Sequence, residues 1–191
     1  MENIKQLISY LGIVLLLSCH IDNNKKLQLP RELRVTNYDT LLQKTAAGDW
    51  FYKGQLFSGY MVQIEKDGRT VYELPIINGK ENGLAEGTYN TGEKLMERPF
   101  INGKREGLFK QWWPNGKLRY LFNYKNDVYD GKQLIFFADG TKRQVSNYVL
   151  GELDGLQSIW DEKGQLIANY TYRDKKLYGI ITAKNCMPNG H

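Results

Sequence analysis

The chain has 191 residues, of which 41% are hydrophobic and 25% charged. That is enough for one folded domain, and it excludes both a disordered chain and an integral helical membrane bundle. The net charge of +5 is spread along the sequence, the pattern of a solvated exterior rather than a nucleic-acid footprint.

Glycine is abundant at 19 residues, and tyrosine at 13 outnumbers phenylalanine at 7. Glycine is poor inside helices and aromatics favour a pleated surface, so this bias points to short strands and tight turns. The first segment, "MENIKQLISYLGIVLLLSCH", reads differently. Its apolar run from Leu7 to Leu17 is too short to span a bilayer, which takes about 20 apolar residues, and has the length of a secretory signal core. Leu16-Leu17-Ser18-Cys19 resembles the lipobox of bacterial lipoproteins. The resemblance implies a signal peptide over 1–18, cleavage after Ser18 and lipid on the Cys19 thiol. Two or more acyl chains hold a soluble domain on a membrane stably, whereas one does so only marginally. The expected location is therefore the cell envelope, anchored to a bacterial membrane.

Residues 19–45 read as a polar tether in which Pro30 opposes helix. A short strand is expected to begin near Arg34. The folded domain is expected over 46–191.

A period of 24 residues dominates that domain. Gly59, Gly83, Gly107, Gly131, Gly155 and Gly179 share one phase, at strand starts. Gly68, Gly92, Gly116, Gly140 and Gly164 share a second. Asn78-Gly79, Asn102-Gly103 and Asn126-Asp127 begin a third, continued by Leu150-Gly151 and Asp174-Lys175. The second and third phases carry residues that tolerate positive φ in hairpin turns. Segments of strand length lie between them. Each unit is thus a β-hairpin, and the expected fold is all-β: repeated antiparallel hairpins in one elongated twisted sheet.

The strands alternate. Tyr72, Leu74 and Ile76, then Tyr120, Phe122 and Tyr124, then Ala168, Tyr170 and Tyr172 share one face. Phe100, Tyr124, Tyr148 and Tyr172 should form an aromatic ladder. Pro75 and Pro99 lack an N–H for the sheet, so a bulge or an unpaired position is expected at each. Trp112 and Trp113 must point to opposite faces of a regular strand, which makes them the candidate contact surface.

"DWFYKGQLFSGY" (49–60), "NGKENGLAEGTYNTGEKL" and "NGKREGLFKQWWPNGKLR" resemble the bacterial variant of the MORN repeat, as in the YwqK-type antitoxin family. The resemblance implies stacked hairpins and no catalytic residues. The last unit departs from the pattern, with Pro188-Asn189-Gly190 about two residues late, as a terminal unit does. Lys184, Asn185 and Pro188 would blunt an exposed edge.

No catalytic site is expected. The only histidines are His20 and His191, and Cys186 with His191 is too few ligands for a metal. Glu81, Glu106, Asp139 and Asp154 read as solvated turn residues. The lysines beside the glycines have no following helix to hold a phosphate. No cofactor and no nucleic acid is expected. The reading is a non-enzymatic module, anchored to a membrane through lipidated Cys19 and binding a protein partner. The alternatives are an antitoxin or immunity-like role, or binding of anionic lipid or cell-wall polymer.

Overall fold

The computed structural model describes residues 33–179. Cys19, His20, Cys186, His191 and the terminal unit's Lys184, Asn185 and Pro188 lie outside the described residues. Among the described residues there are strands and no helices. Five hairpins follow one another with the 24-residue step: Gly59–Ile64 with Thr70–Ile77, Gly83–Thr88 with Lys94–Ile101, Gly107–Trp112 with Leu118–Lys125, Gly131–Phe136 with Lys142–Val149, and Gly155–Trp160 with Leu166–Arg173. We call them units 1 to 5. They pair in chain order into one large open antiparallel sheet. Arg34–Thr36 joins unit 1 as a parallel edge strand, and Lys176–Tyr178 lies at the other edge.

Two kinds of turn build each unit. Gly68, Gly92, Gly116, Gly140 and Gly164 have positive φ, whereas the residues before them do not. These are three-residue loops with glycine at the left-handed position, not the two-residue turns that the dipeptides implied. Asp67, Asn115 and Asp139 each accept the N–H two residues on, at 3.1, 3.1 and 2.8 Å. Lys163 has no such side chain, and Asp161 accepts the Gln165 N–H instead, at 2.8 Å.

The third phase makes two-residue turns with both residues at positive φ, the type I′ pattern. The first four are followed by two-residue strands, Lys80–Glu81, Lys104–Arg105, Val128–Tyr129 and Glu152–Leu153, and Asp174-Lys175 by the three-residue Lys176–Tyr178. The turn N–H groups stitch the units together. Gly79, Gly103, Asp127 and Gly151 donate to the carbonyls of Phe57, Glu81, Arg105 and Tyr129, at 2.7–3.1 Å. Leu150 is the exception in chemistry: it holds φ +50° with its side chain 72% exposed. A left-handed conformation costs a branched residue about 1–2 kcal/mol. Leu150→Asn, the residue at 78, 102 and 126, is expected to stabilise the fold by about 1 kcal/mol in urea unfolding.

After each short strand the pairing slips, and the prolines sit at that slip. Asn82 donates to the Pro75 carbonyl at 3.0 Å and Glu106 to the Pro99 carbonyl at 3.2 Å. Units 3 and 4 place Asn123 and Asn147 at the same point, and these do carry an N–H. Gln133 and Gln157 supply the missing acceptor. Gln133 Oε1 accepts from Asn123 N–H at 2.8 Å, and Gln157 Oε1 from Asn147 N–H at 3.2 Å. Opposite the prolines the corresponding residues are Ala85 and Phe109, which need accept nothing. Proline goes with an apolar partner, asparagine with glutamine.

The core sits at one end. Val35, Phe57, Met61, Leu74, Ile76 and Ala85 are buried together, with Leu42, Trp50, Tyr52, Tyr72 and Phe100 packed against them. Leu42, Trp50 and Tyr52 belong to a separate three-stranded sheet of Leu42–Lys44, Trp50–Tyr52 and Gln55–Leu56. This small ribbon lies over the inward face of units 1 and 2. Lys44 Nζ and Trp50 Nε1 reach Glu81 at 2.7 and 2.9 Å, and Lys80 pairs with Asp49 at 2.7 Å. The fold thus extends into the segment expected to be a tether, at least back to Arg34. Glu81, expected in solvent, is buried because the ribbon brings it a cation and an indole N–H.

Candidate functional site

The strand register puts residues 72, 74 and 76 of unit 1 in line with 96, 98 and 100, 120, 122 and 124, 144, 146 and 148, and 168, 170 and 172. Under the ribbon this inward face is aliphatic and closed: Ile76 is fully buried and Leu74 nearly so. Beyond the ribbon it changes character. Tyr120, Phe122, Tyr124, Ile135, Tyr148, Tyr170 and Tyr172 are half-buried. Tyrosine suits such a position because its ring is apolar and its hydroxyl tolerates water.

The rings pack edge and face along the sheet. Tyr120 stacks on Phe122 with centroids 5.1 Å apart, and Phe109 meets Phe122 at 6.0 Å. The expected 24-residue ladder is bridged rather than direct. Tyr129, on the short strand after a type I′ turn, lies 4.9 Å from Tyr124 and 5.1 Å from Tyr148. Arg105 lies over Tyr124 at 4.4 Å, and Arg98 over Phe109 at 5.1 Å. Phe122, Tyr129, Gln133, Ile135, Gln144, Ser146 and Tyr148 surround a shallow depression. Gln144 Nε2 donates to Ser146 Oγ at 2.9 Å across its floor.

Burial, then the adjacent Tyr124 and Tyr148 hydroxyls, push the Tyr129 phenol from 10.0 up to about 12. Between pH 10 and 12 the folded chain keeps this proton while the unfolded chain loses it, so stability falls as pH rises through that window. Tyr129→Phe is expected to remove one late-titrating tyrosine from the phenolate absorbance curve and to flatten this decline. Loss of an ordinarily titrating tyrosine would contradict the packing.

Trp112 and Trp113 lie at the other end of the hairpins, by the three-residue loops. Both are half-buried. Lys94 Nζ lies over the Trp112 ring at 5.2 Å, and the Trp112 carbonyl accepts from Tyr89 Oη at 2.7 Å. Trp113 Nε1 donates to the Phe136 carbonyl at 3.3 Å, and Arg119 lies over its ring at 4.3 Å. These tryptophans bind one unit to the next, and their cation-covered rings form a rim of the sheet. The turn glycines Gly68, Gly92, Gly116, Gly140 and Gly164 lie along the same rim. The aromatic face of units 3 to 5 was visible in the sequence as an alternating pattern, but not that it is uncovered among the described residues.

Glu106 accepts from Asn126 N–H at 2.8 Å and Asp139 from Thr141, so both serve turns. Among the described residues no three His, Cys, Asp or Glu groups converge as a metal site would need. No helix of the described residues is long and apolar enough to cross a membrane.

No curated protein matches the chain. Residues 105–126, the hairpin of unit 3 with its flanking short strand, match the MORN repeat variant family.

Proposed function

We propose that the protein is a non-enzymatic interaction module, tethered to a bacterial membrane through lipid on Cys19, that holds a protein partner on its aromatic face. The observation behind this reading is the contrast along one face: aliphatic and sealed under the ribbon, aromatic and half-open over units 3 to 5. Repeats of the matched kind are commonly protein- or lipid-binding. A photoreactive residue at Gln144, on this face, is expected to capture a reproducible protein in intact cells, and one at Lys132, on the opposite face, is not. Capture of nothing at Gln144 would remove the reading.

The anchor has its own test. Cys19→Ser should shift the protein from the detergent phase to the aqueous phase on fractionation. Identical partitioning of both forms contradicts lipidation.

A second reading, binding of anionic lipid or cell-wall polymer, is favoured by the rim. There Arg119 lies over Trp113 and Arg143 over Phe137 at 5.9 Å, a pairing of cation and aromatic suited to an anionic, partly apolar surface. Vesicle binding that ignores anionic lipid content removes it. An antitoxin or immunity role, implied by the resemblance to the YwqK-type family, requires toxicity on deletion that deleting a neighbouring gene relieves.

A further inference from the structure

The molecule already displays one occupant of its inward face. The ribbon of residues 42–56 lies on units 1 and 2, with Leu42, Trp50 and Tyr52 packed on the sheet and its polar tips on Glu81. The same face continues through units 3 to 5, with residues 24 apart in line. We propose that this continuation binds an extended segment of a partner protein that carries a branched aliphatic side chain and, about three residues away, a carboxylate. The proposal rests on the protein-binding reading above and names the chemistry of the partner.

Three observations select that chemistry. The first is size. The depression among Phe122, Tyr129, Ile135, Ser146 and Tyr148 measures about 110 Å³. That is smaller than the ~150 Å³ cavity that takes a benzene ring, so it suits a Leu, Ile or Val side chain. Its position explains the space: Ser146 stands where unit 1 has Leu74 and unit 3 has Phe122, so unit 4 lacks the side chain that fills the others.

The second is charge. The inward positions of units 2 to 5 carry Arg98 and Arg105 and no carboxylate. Arg105 is paired with Asp127. Arg98 stacks on Phe109 and meets no carboxylate among the described residues. The ribbon's own docking contact is the mirror of this, with a carboxylate on the sheet and a cation on the ribbon. Arg98 of unit 2, reaching over Phe109 of unit 3, puts the sheet's cation at the near edge of the open units.

The third is spacing. The Arg98 guanidinium lies over Phe109, and the depression is centred near the strand of Ile135, two strand spacings farther on, about 9.6 Å, which an extended chain crossing the strands covers in about three residues. The path between them is continuous, from Arg98 over Phe109 to Phe122 at the lip of the depression.

The test is a selection from a random peptide display library against the purified full chain in detergent. Peptides pairing Asp or Glu with Leu, Ile or Val at a three-residue spacing are expected to be enriched. Their binding should fall at least tenfold with Ser146→Leu, which fills the depression with the residue unit 1 already uses there. Ser146→Leu is also expected to retain the wild-type melting temperature, so that lost binding is not lost folding. Arg98→Glu should turn the preference toward basic peptides.

Enrichment of peptides with another chemistry, or binding indifferent to Ser146→Leu and Arg98→Glu, overturns this site and leaves protein binding standing. Enrichment of nothing, together with failure of the Gln144 crosslink, removes both. Self-association of the chain that Ser146→Leu abolishes, or capture of a glycan by the same face, assigns another occupant and also overturns the proposal.

Discussion

Phe57→Ala is expected to destabilise the protein by about 3–5 kcal/mol, the cost of removing a fully packed phenylalanine. Phe57 is 2% exposed, meets Tyr52 edge to face at 5.9 Å, and lies between the ribbon and unit 1. Its backbone is equally committed: its N–H donates to the Trp50 carbonyl at 2.9 Å and its carbonyl accepts from Gly79 at 2.7 Å. A cavity there loosens the ribbon from the face it covers. Stacked repeats contact only their neighbours, so the damage should stay local. Amide exchange is expected to accelerate over residues 34–100, while units 4 and 5 keep their protection. A loss below about 1 kcal/mol in urea unfolding would contradict the placement of the core.

Gln157→Ala should cost about 1–3 kcal/mol by leaving the Asn147 N–H buried without an acceptor. Gln157 is 1% exposed, accepts from Asn147, and donates to the carbonyls of Asn147 and Gly155 at 3.1 and 3.2 Å. The Asn147 carbonyl also accepts from Asp154 N–H at 3.0 Å, so the truncation orphans the donor and not this acceptor. A double-mutant cycle isolates that donor. Asn147→Pro installs what units 1 and 2 have at 75 and 99, and it removes the N–H. In that background Gln157→Ala should cost less, with a coupling of about 1 kcal/mol or more. Strict additivity of the two substitutions would show that the glutamine packs rather than pairs.

Periodicity made much of the fold legible. Gly68, Gly92 and their successors marked one row of turns, Asn78-Gly79 and its successors another, because positive φ restricts residue choice at every repeat. The prolines at 75 and 99 correctly marked irregular pairing. The answering row, Ala85, Phe109, Gln133 and Gln157, keeps the same step of 24. It was readable only by setting it beside 75, 99, 123 and 147, since neither column is informative alone.

The ribbon was not legible. Residues 42–56 fall out of the 24-residue step, and their place depends on partners such as Glu81 that lie far along the chain. For the same reason Glu81 looked like a turn carboxylate, and the aromatic row from Phe100 to Tyr172 looked like an unbroken ladder until Tyr129 was found between its members. Trp112 and Trp113 drew notice by size. Their rings serve the joints between units, whereas the open face is assembled from smaller signals spread over three hairpins.

Everything depends on a sheet that advances by two strands with every 24 residues and, among the described residues, has one face uncovered past unit 2. Spin labels at Leu84 and Leu156, equivalent positions in units 2 and 5, with Cys19 and Cys186 replaced by serine, measure that advance directly. Six strand spacings predict a separation of about 29 Å, with a narrow distribution. A separation near 10–15 Å, the distance across two layers packed face to face, would mean that the hairpins fold back and cover their own aromatic face.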